Sequence, residues 1–310
     1  MRITGTFLDE ISHDIPSQNW GIKEWNKDFK SMKSAGIDTV ILIRCGYKRW
    51  MTFPSNVLKN EQNCYVPPLD LVKIFLELSE KYNMNFWFGT YDSGYYWHNE
   101  EFRKEIDINK KVTEEVWKRY GSFKAFKGWY LSLEVSRKSL GIIELYYELG
   151  KHVKDLSSGL PVLISPYVDG IKNVSAFDSA LTKKDVVGLK THEKEWDEIM
   201  ANIKGAVDVV AFQDGHVDFY ELLDFLIVNK SLAERYGLRC WSNTETFDRD
   251  MPIKFLPIKW EKLKFKLEAA ERAKVEKIIT FEWSHFLSPN SCYPQAKNLY
   301  NRYKEYLKQK

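Results

Sequence analysis

The chain has 310 residues, 44% of them hydrophobic and 29% charged, with a formal net charge of +3. So small a charge on so long a chain argues against electrostatic capture of nucleic acid, and no apolar run approaches the length of a membrane span. The four cysteines, Cys45, Cys64, Cys240 and Cys292, are scattered without a CxxC pair, so they read as reduced thiols and not as a disulfide frame or a zinc knuckle.

Short apolar runs rich in Val, Ile and aromatic residues, bounded by Gly, Asp, Asn or Pro, read as strands; the amphipathic stretches between them read as helices. The first strand, 3–9, starts almost at Met1 with no charged or apolar leader ahead of it, from which we expect a cytoplasmic protein. Asp9 ends this strand and Glu10, His13 and Asp14 come after it, the four either lining a mouth or forming a solvated loop. Helix 24–35 stops at Gly36, which suits the left-handed position past a helix end. Strand 39–45 is apolar except for Arg44, which would be costly inside a protein without a carboxylate partner.

Helix 68–83 leads to strand 85–91, and the segment after it, GTYDSGYYWHN, supplies Asp92, Tyr95, Tyr96 and Trp97, a polar-aromatic mixture suited to carbohydrate. Helix 101–120 precedes strand 127–134, which ends in Glu134. Helix 138–157 is followed by strand 160–167, closing on Tyr167, and then by helix 193–204. Strand 207–214 ends in Asp214, which either orients a hydroxyl or caps the following helix, 217–236. Gly237 fits another left-handed helix stop. Strand 238–245 carries Asn243 and ends in Glu245. After helix 259–274 comes strand 277–283, with Trp283 as a candidate sugar platform, His285 as a candidate hydroxyl ligand and Glu282 ambiguous in direction. A final helix spans 293–308.

Eight strands alternating with eight helices, without linker or repeat, predict a single (β/α)8 TIM barrel occupying residues 1–310 as one domain. An open doubly wound sheet is the alternative, but no Gly-rich phosphate fingerprint follows the first strand. In a barrel, side chains at the C-terminal strand ends face the active site. Strand periodicity puts Tyr130, Ser132 and Glu134 on one face of strand four, and Arg239, Trp241, Asn243 and Glu245 on one face of strand seven. Two such carboxylates are what glycosidic bond cleavage requires, one as acid and one as base or nucleophile. Arg44 would pair with one of them. The motifs GxSxG, HExxH and the P-loop are absent.

The succession GTFLDE, GIDTVILI, GWYLSLE, SPY, QDG and FEWSHFLSPN resembles the bacterial proteins grouped as domain of unknown function 4434, over nearly the whole chain. That family is regarded as related to (β/α)8 glycoside hydrolases, so the resemblance implies a glycosidase-type barrel. The positions of Glu134 and Glu245 are also similar to those in the large retaining-glycosidase clan, although Leu133 stands where that clan usually carries asparagine. By that likeness Glu134 is the acid/base and Glu245 the nucleophile; the residue pattern adds the expectation that Arg44 keeps Glu245 ionised.

The sequence expectation is therefore a glycoside hydrolase acting on a small oligosaccharide or glycoside. Glu134 and Glu245 are the expected catalytic residues. Arg44, Asp92, Trp97, Tyr167, Asp214, Asn243, Trp283 and His285 are the expected substrate contacts. No cofactor or metal, and no nucleic-acid or membrane partner, is expected. The alternatives are a metal-dependent sugar isomerase or epimerase, holding its metal through Glu134, Asp214 and His285, and a carbohydrate-binding barrel without turnover.

Overall fold

The protein is described from a computed structural model, which covers residues 1–12, 15, 18–170, 186–249 and 255–309. Eight parallel strands close into a barrel. In chain order they are β1 (Ile3–Leu8), β2 (Thr39–Leu42), β3 (Asn85–Gly89), β4 (Phe126–Leu131), β5 (Val162–Ile164), β6 (Val209–Gln213), β7 (Arg239–Asn243) and β8 (Lys277–Thr280). Each pairs with its neighbours in sequence, and β1 closes the ring against β8 with Thr6 opposite Thr280.

Around them run α1 (Ile22–Ser34), α2 (Leu71–Tyr82), α3 (Phe102–Tyr120), α4 (Ile142–Leu156), α5 (Leu189–Ile203), α6 (Phe219–Arg235), α7 (Trp260–Arg272) and α8 (Pro294–Leu307). The expected (β/α)8 barrel is the fold observed. The start and stop chemistry is visible in the sequence: Asp70 caps α2 by accepting from the Lys73 amide at 3.0 Å, and Asp218 caps α6. Gly36 and Gly237 take φ of +90° and +72° just past α1 and α6, the left-handed conformation that glycine adopts without steric cost.

The sheet separates two apolar compartments. Inside the barrel, Phe7, Ile41, Ile43, Trp87, Tyr130, Leu163, Val209, Ala211, Trp241 and Ile279 form a packed plug. Trp87 fits there because its neighbour on β4 is Gly128, where a Cβ would lie 2.5 Å from the indole. A larger core lies between barrel and helices, with Trp25 edge-on to Phe75 at 4.7 Å as a typical contact.

The strands are shorter at their C-terminal ends than their apolar runs suggest, because the last residues leave the ladder to build the mouth. Three small elements there have no periodic signal: a short helix, Asn56–Gln62; a three-stranded sheet of Gly46–Tyr47, Trp50–Met51 and Tyr91–Asp92; and a two-stranded ribbon of Phe247–Asp248 with Leu256–Pro257. Among the described residues, no helix is long and apolar enough to cross a membrane.

Candidate active site

At the C-terminal ends of the strands lies a cavity of about 190 Å³, lined by Ser12, Ile43, Arg44, Glu134, Gln213, Asn243, Glu245, Phe247, Arg249, Phe255 and Phe281. Both sequence-predicted glutamates line it, one from the segment after β4 and one from the segment after β7.

Glu134 lies three residues beyond β4, on a stretch held from several sides. The Ser132 hydroxyl donates to the Thr90 carbonyl at 2.8 Å, the Tyr146 hydroxyl to the Leu133 carbonyl at 2.6 Å, and the Tyr167 amide to the Val135 carbonyl at 3.1 Å. The Glu134 side chain is about one-quarter exposed. It accepts a hydrogen bond from the Tyr130 hydroxyl at 3.0 Å, and Arg44 Nη2 stands 3.8 Å away. Tyr130 is wholly buried, its ring in the barrel plug and 5.1 Å from that of Phe7. Burial, reinforced by the Glu134 charge, pushes its hydroxyl well above the ordinary tyrosine range, so it remains a donor.

Glu245 is built differently. It is 2% exposed, and Arg249 grips its carboxylate with two hydrogen bonds, Nε to Oε2 at 2.9 Å and Nη2 to Oε1 at 3.0 Å. Bidentate pairing of this kind fixes orientation as well as charge. Its backbone is also clamped: Asp214 accepts from the Glu245 amide at 3.0 Å, while Lys266 donates to the Glu245 carbonyl at 3.2 Å. Asp214 and Lys266 are themselves a buried ion pair at 2.7 Å. Gly215 lies directly against the carboxylate, and a Cβ there would overlap it.

Arg44 stands between Asp92, at 3.6 Å, and Glu134. Burial disfavours its charge, but Glu134 and then Asp92 outweigh that and hold the guanidinium charged. Its expected partner is thus Glu134. The expected pairing of Arg44 with Glu245 is corrected: Arg44 pairs with Glu134 and Asp92, and the cation on the Glu245 carboxylate is Arg249, directly after the short strand Phe247–Asp248.

The remaining predicted residues divide. Asn243 lines the cavity, with its amide donating to Ser165 Oγ at 3.0 Å and its buried Oδ1 without a hydrogen bond among the described residues. Asp92 is buried behind Arg44 and accepts from the Gly94 amide and from Trp97 Nε1 at 3.1 Å, so Asp92 and Trp97 brace Arg44 and do not line the cavity. Tyr167 bridges to Gln213 through backbone and packs edge-on to His216 at 5.2 Å, beside the cavity. Asp214 neither lines the cavity nor caps α6; it is committed to Lys266 and the Glu245 amide.

Trp283 is a correction. Its ring is fully buried in the core between barrel and helices, donates from Nε1 to Ser31 Oγ at 3.1 Å and meets Tyr300 at 5.8 Å. Its place at the end of the apolar run misleads because β8 ends at Thr280 and a helical turn, Trp283–Phe286, follows after two residues. Glu282 caps that turn, accepting from the Ser284 and His285 amides. Phe281 faces the cavity instead. His285 is 1% exposed and its Nδ1 meets the Glu282 carboxylate, which also removes it from the cavity wall. Burial alone would lower its pKa, but Glu282 raises it to about 9. Asp9 is buried and accepts from the Ile11 and Ser12 amides; His13 and Asp14 lie outside the described residues. Tyr95 is exposed and Tyr96 partly buried on the loop after β3.

Sequence reasoning missed Gln213, Arg249, Lys266 and the three cavity phenylalanines, Phe247, Phe255 and Phe281. Gln213 was the most accessible of these, since it precedes Asp214 at the end of a strand. The proposed metal set is not assembled: Asp214 and His285 are each committed elsewhere. Among the described residues, no three His, Cys, Asp or Glu side chains are grouped to hold a metal ion.

Residues 3–293 match the profile of a family described as domain of unknown function (DUF4434). A protein of Bacteroides thetaiotaomicron VPI-5482, described as a "putative alpha-L-fucosidase", is 56% identical, with a TM-score of 0.96 over 100% of this chain and 96% of that one. The endo-1,4-beta-D-mannanase of Thermotoga petrophila RKU-1 superposes with a TM-score of 0.60 at 11% identity, over 98% of this chain and 99% of that one. The intracellular xylanase of Thermoanaerobacterium saccharolyticum JW/SL-YS485 does so with 0.53 at 9% identity, over 89% and 84%. These two likenesses are of fold, that of glycoside hydrolases. No curated protein matches the chain in sequence.

Proposed function

Starting from the fact that the chain belongs to the DUF4434 family, we propose that it is a glycoside hydrolase that cleaves a small oligosaccharide or glycoside with retention of configuration. One observation carries this: two glutamates from strands three apart in the barrel line a single small cavity in contrasting surroundings. Glu245, buried and aligned by Arg249, suits the nucleophile that attacks the anomeric carbon. Glu134, partly open to solvent and touching a neutral tyrosine hydroxyl, suits the group that protonates the leaving oxygen and then activates water. Asn243 and Gln213 would hold ring hydroxyls, and the phenylalanines would exclude water from the apolar sugar face. No cofactor enters these steps. We propose further that residues 1–310 act as one catalytic domain, and that the protein works in the cytoplasm, in keeping with its free cysteines; fractionation of the source cell tests the latter.

The experiment is a panel of aryl glycosides and oligosaccharides with the wild type, Glu134→Gln and Glu245→Gln. The description of the 56% identical protein puts α-L-fucosides in that panel. Glu245→Gln should abolish turnover of every substrate. Glu134→Gln should slow substrates with poor leaving groups by about 10²–10⁴-fold while sparing activated aryl glycosides. Retention requires the carboxyls about 5–5.5 Å apart, and the first-formed anomer, read by NMR, reports it. Binding without turnover by the wild type would favour a carbohydrate-binding barrel instead.

A further inference from the structure

The rim of the mouth carries an aromatic surface outside the cavity. Trp50 is 59% exposed and Tyr65 49% exposed, their rings 5.2 Å apart. Adjacent exposed rings that make one apolar patch are more often interaction sites than single exposed residues are, and these two are held firmly. Trp50 sits on a two-residue hairpin opposite Tyr47. The carbonyl of Lys48 in the hairpin turn accepts from the buried Tyr91 hydroxyl at 2.7 Å and from Cys64 Sγ at 3.3 Å. The Tyr65 amide donates to the Arg49 carbonyl at 2.8 Å, and the Arg49 guanidinium lies 4.5 Å from the Tyr65 ring centroid.

The hairpin also fixes where this surface lies relative to the cavity. Directly opposed residues of an antiparallel pair project from the same face, so Trp50 shares a face with Tyr47. The Tyr47 ring lies 5.2 Å from the Arg44 guanidinium, and Arg44 lines the cavity. A strip therefore runs from the cavity wall at Arg44, over Tyr47, to Trp50 and Tyr65. The cavity, about 190 Å³, is small beside an extended glycan, so further rings would lie outside it.

We propose that Trp50 and Tyr65 form a second sugar-binding site, which stacks the apolar face of a further ring of the same glycan whose first ring fills the cavity. The inference rests on the glycosidase reading for the occupant's chemistry but not on turnover. It makes the substrate an oligosaccharide longer than one ring, with chain-length preference set on the hairpin after β2.

The test is calorimetric titration in the Glu134→Gln background, in which cleavage of these poor-leaving-group glycans is slowed by about 10²–10⁴-fold, with L-fucose and 2′-fucosyllactose, xylose and xylotriose, and mannose and mannotriose. The quantity read is the ratio of affinities for the longer and shorter member of each pair. Trp50→Ala should reduce that ratio by about 3- to 10-fold for the pair that binds, Tyr65→Ala by a similar factor, and Trp50→Phe should restore most of it. A ratio unchanged in Trp50→Ala overturns the inference and leaves the glycosidase proposal standing. A reduced ratio, with no hydrolysis of any panel member by wild type, supports the site and overturns the glycosidase proposal. Failure of every probe to bind overturns both.

Discussion

Lys266 and Asp214 grip the backbone of Glu245 from both sides, and replacing Lys266 by methionine tests that clamp. The pair is buried, with side-chain exposures of 7% and 3%. Burial raises the Asp214 pKa and Lys266 holds it back down. Removing one member of a buried ion pair costs about 3–5 kcal/mol, because the other is left as an uncompensated charge. At about 2.1 cal/mol/K per residue, the unfolding entropy of a chain of this length is about 0.65 kcal/mol/K, so Lys266→Met should lower Tm by about 5–8 °C at neutral pH. Asp214 in that variant has a folded-state pKa above its unfolded value. Its folded form then binds the extra proton, and the deficit is full at neutral pH and shrinks as pH falls through the folded pKa. Adding Asp214→Asn should recover most of the loss, since no buried charge remains and the amide oxygen can still accept from the Glu245 amide. Well below Tm, kcat/KM of Lys266→Met should fall by about tenfold or more as Glu245, the proposed nucleophile, loses its backbone anchors. Differential scanning fluorimetry across pH reads the first three outcomes. A Tm within 2 °C of wild type, on the order of 1 kcal/mol, or a double variant no better than the single, would refute the clamp.

Gly215→Ala should leave the fold intact but cut activity by about 10²-fold, because the new methyl group displaces the Glu245 carboxylate; a variant with full kcat/KM counts against Glu245. Trp283→Ala should cost about 3–5 kcal/mol in urea unfolding as a core truncation, and loss of ligand affinity without loss of stability would restore Trp283 to the mouth. His285, raised from 6.5 to about 9, contributes stability that is complete below about pH 6.5 and lost as pH rises through about 9. Tm should therefore decline across that window, and His285→Gln should flatten the decline; parallel curves would disprove the His285–Glu282 pairing.

The barrel was legible because its signal is periodic: eight apolar runs of strand length, separated by amphipathic helices, leave few other ways to bury that surface. Glu134, Asn243 and Glu245 were legible for the same reason, since alternation carries each strand's inward face past the end of its ladder. Arg44 betrayed itself as a charge within an apolar run. The pattern failed where the backbone stops being a strand. At β8 the ladder ends at Thr280, Glu282 caps a new turn and the Trp283 indole swings outward, so a place at the end of an apolar run did not carry it to the mouth. Arg249 was hidden because the ribbon that delivers it has two residues in each strand, too few for any period. Lys266 was hidden for a different reason: on α7 it looks like an ordinary lysine of a solvated helix, and only tertiary packing brings it beneath Glu245.

Tyr130 belongs at once to the packed plug of the barrel and to the hydrogen-bond partners of Glu134. Its ring packs against Phe7 and its hydroxyl reaches Glu134, the proposed acid. A change of volume in the plug would therefore be read out in leaving-group chemistry before it was felt as unfolding, since a tilt of the ring withdraws the hydroxyl while costing few contacts. That makes the barrel interior a poor place for laboratory evolution to gather stabilising substitutions. New specificity would have to be drawn from the loops above it, where Trp50, Tyr65 and Phe255 can change without moving the ring that steadies Glu134.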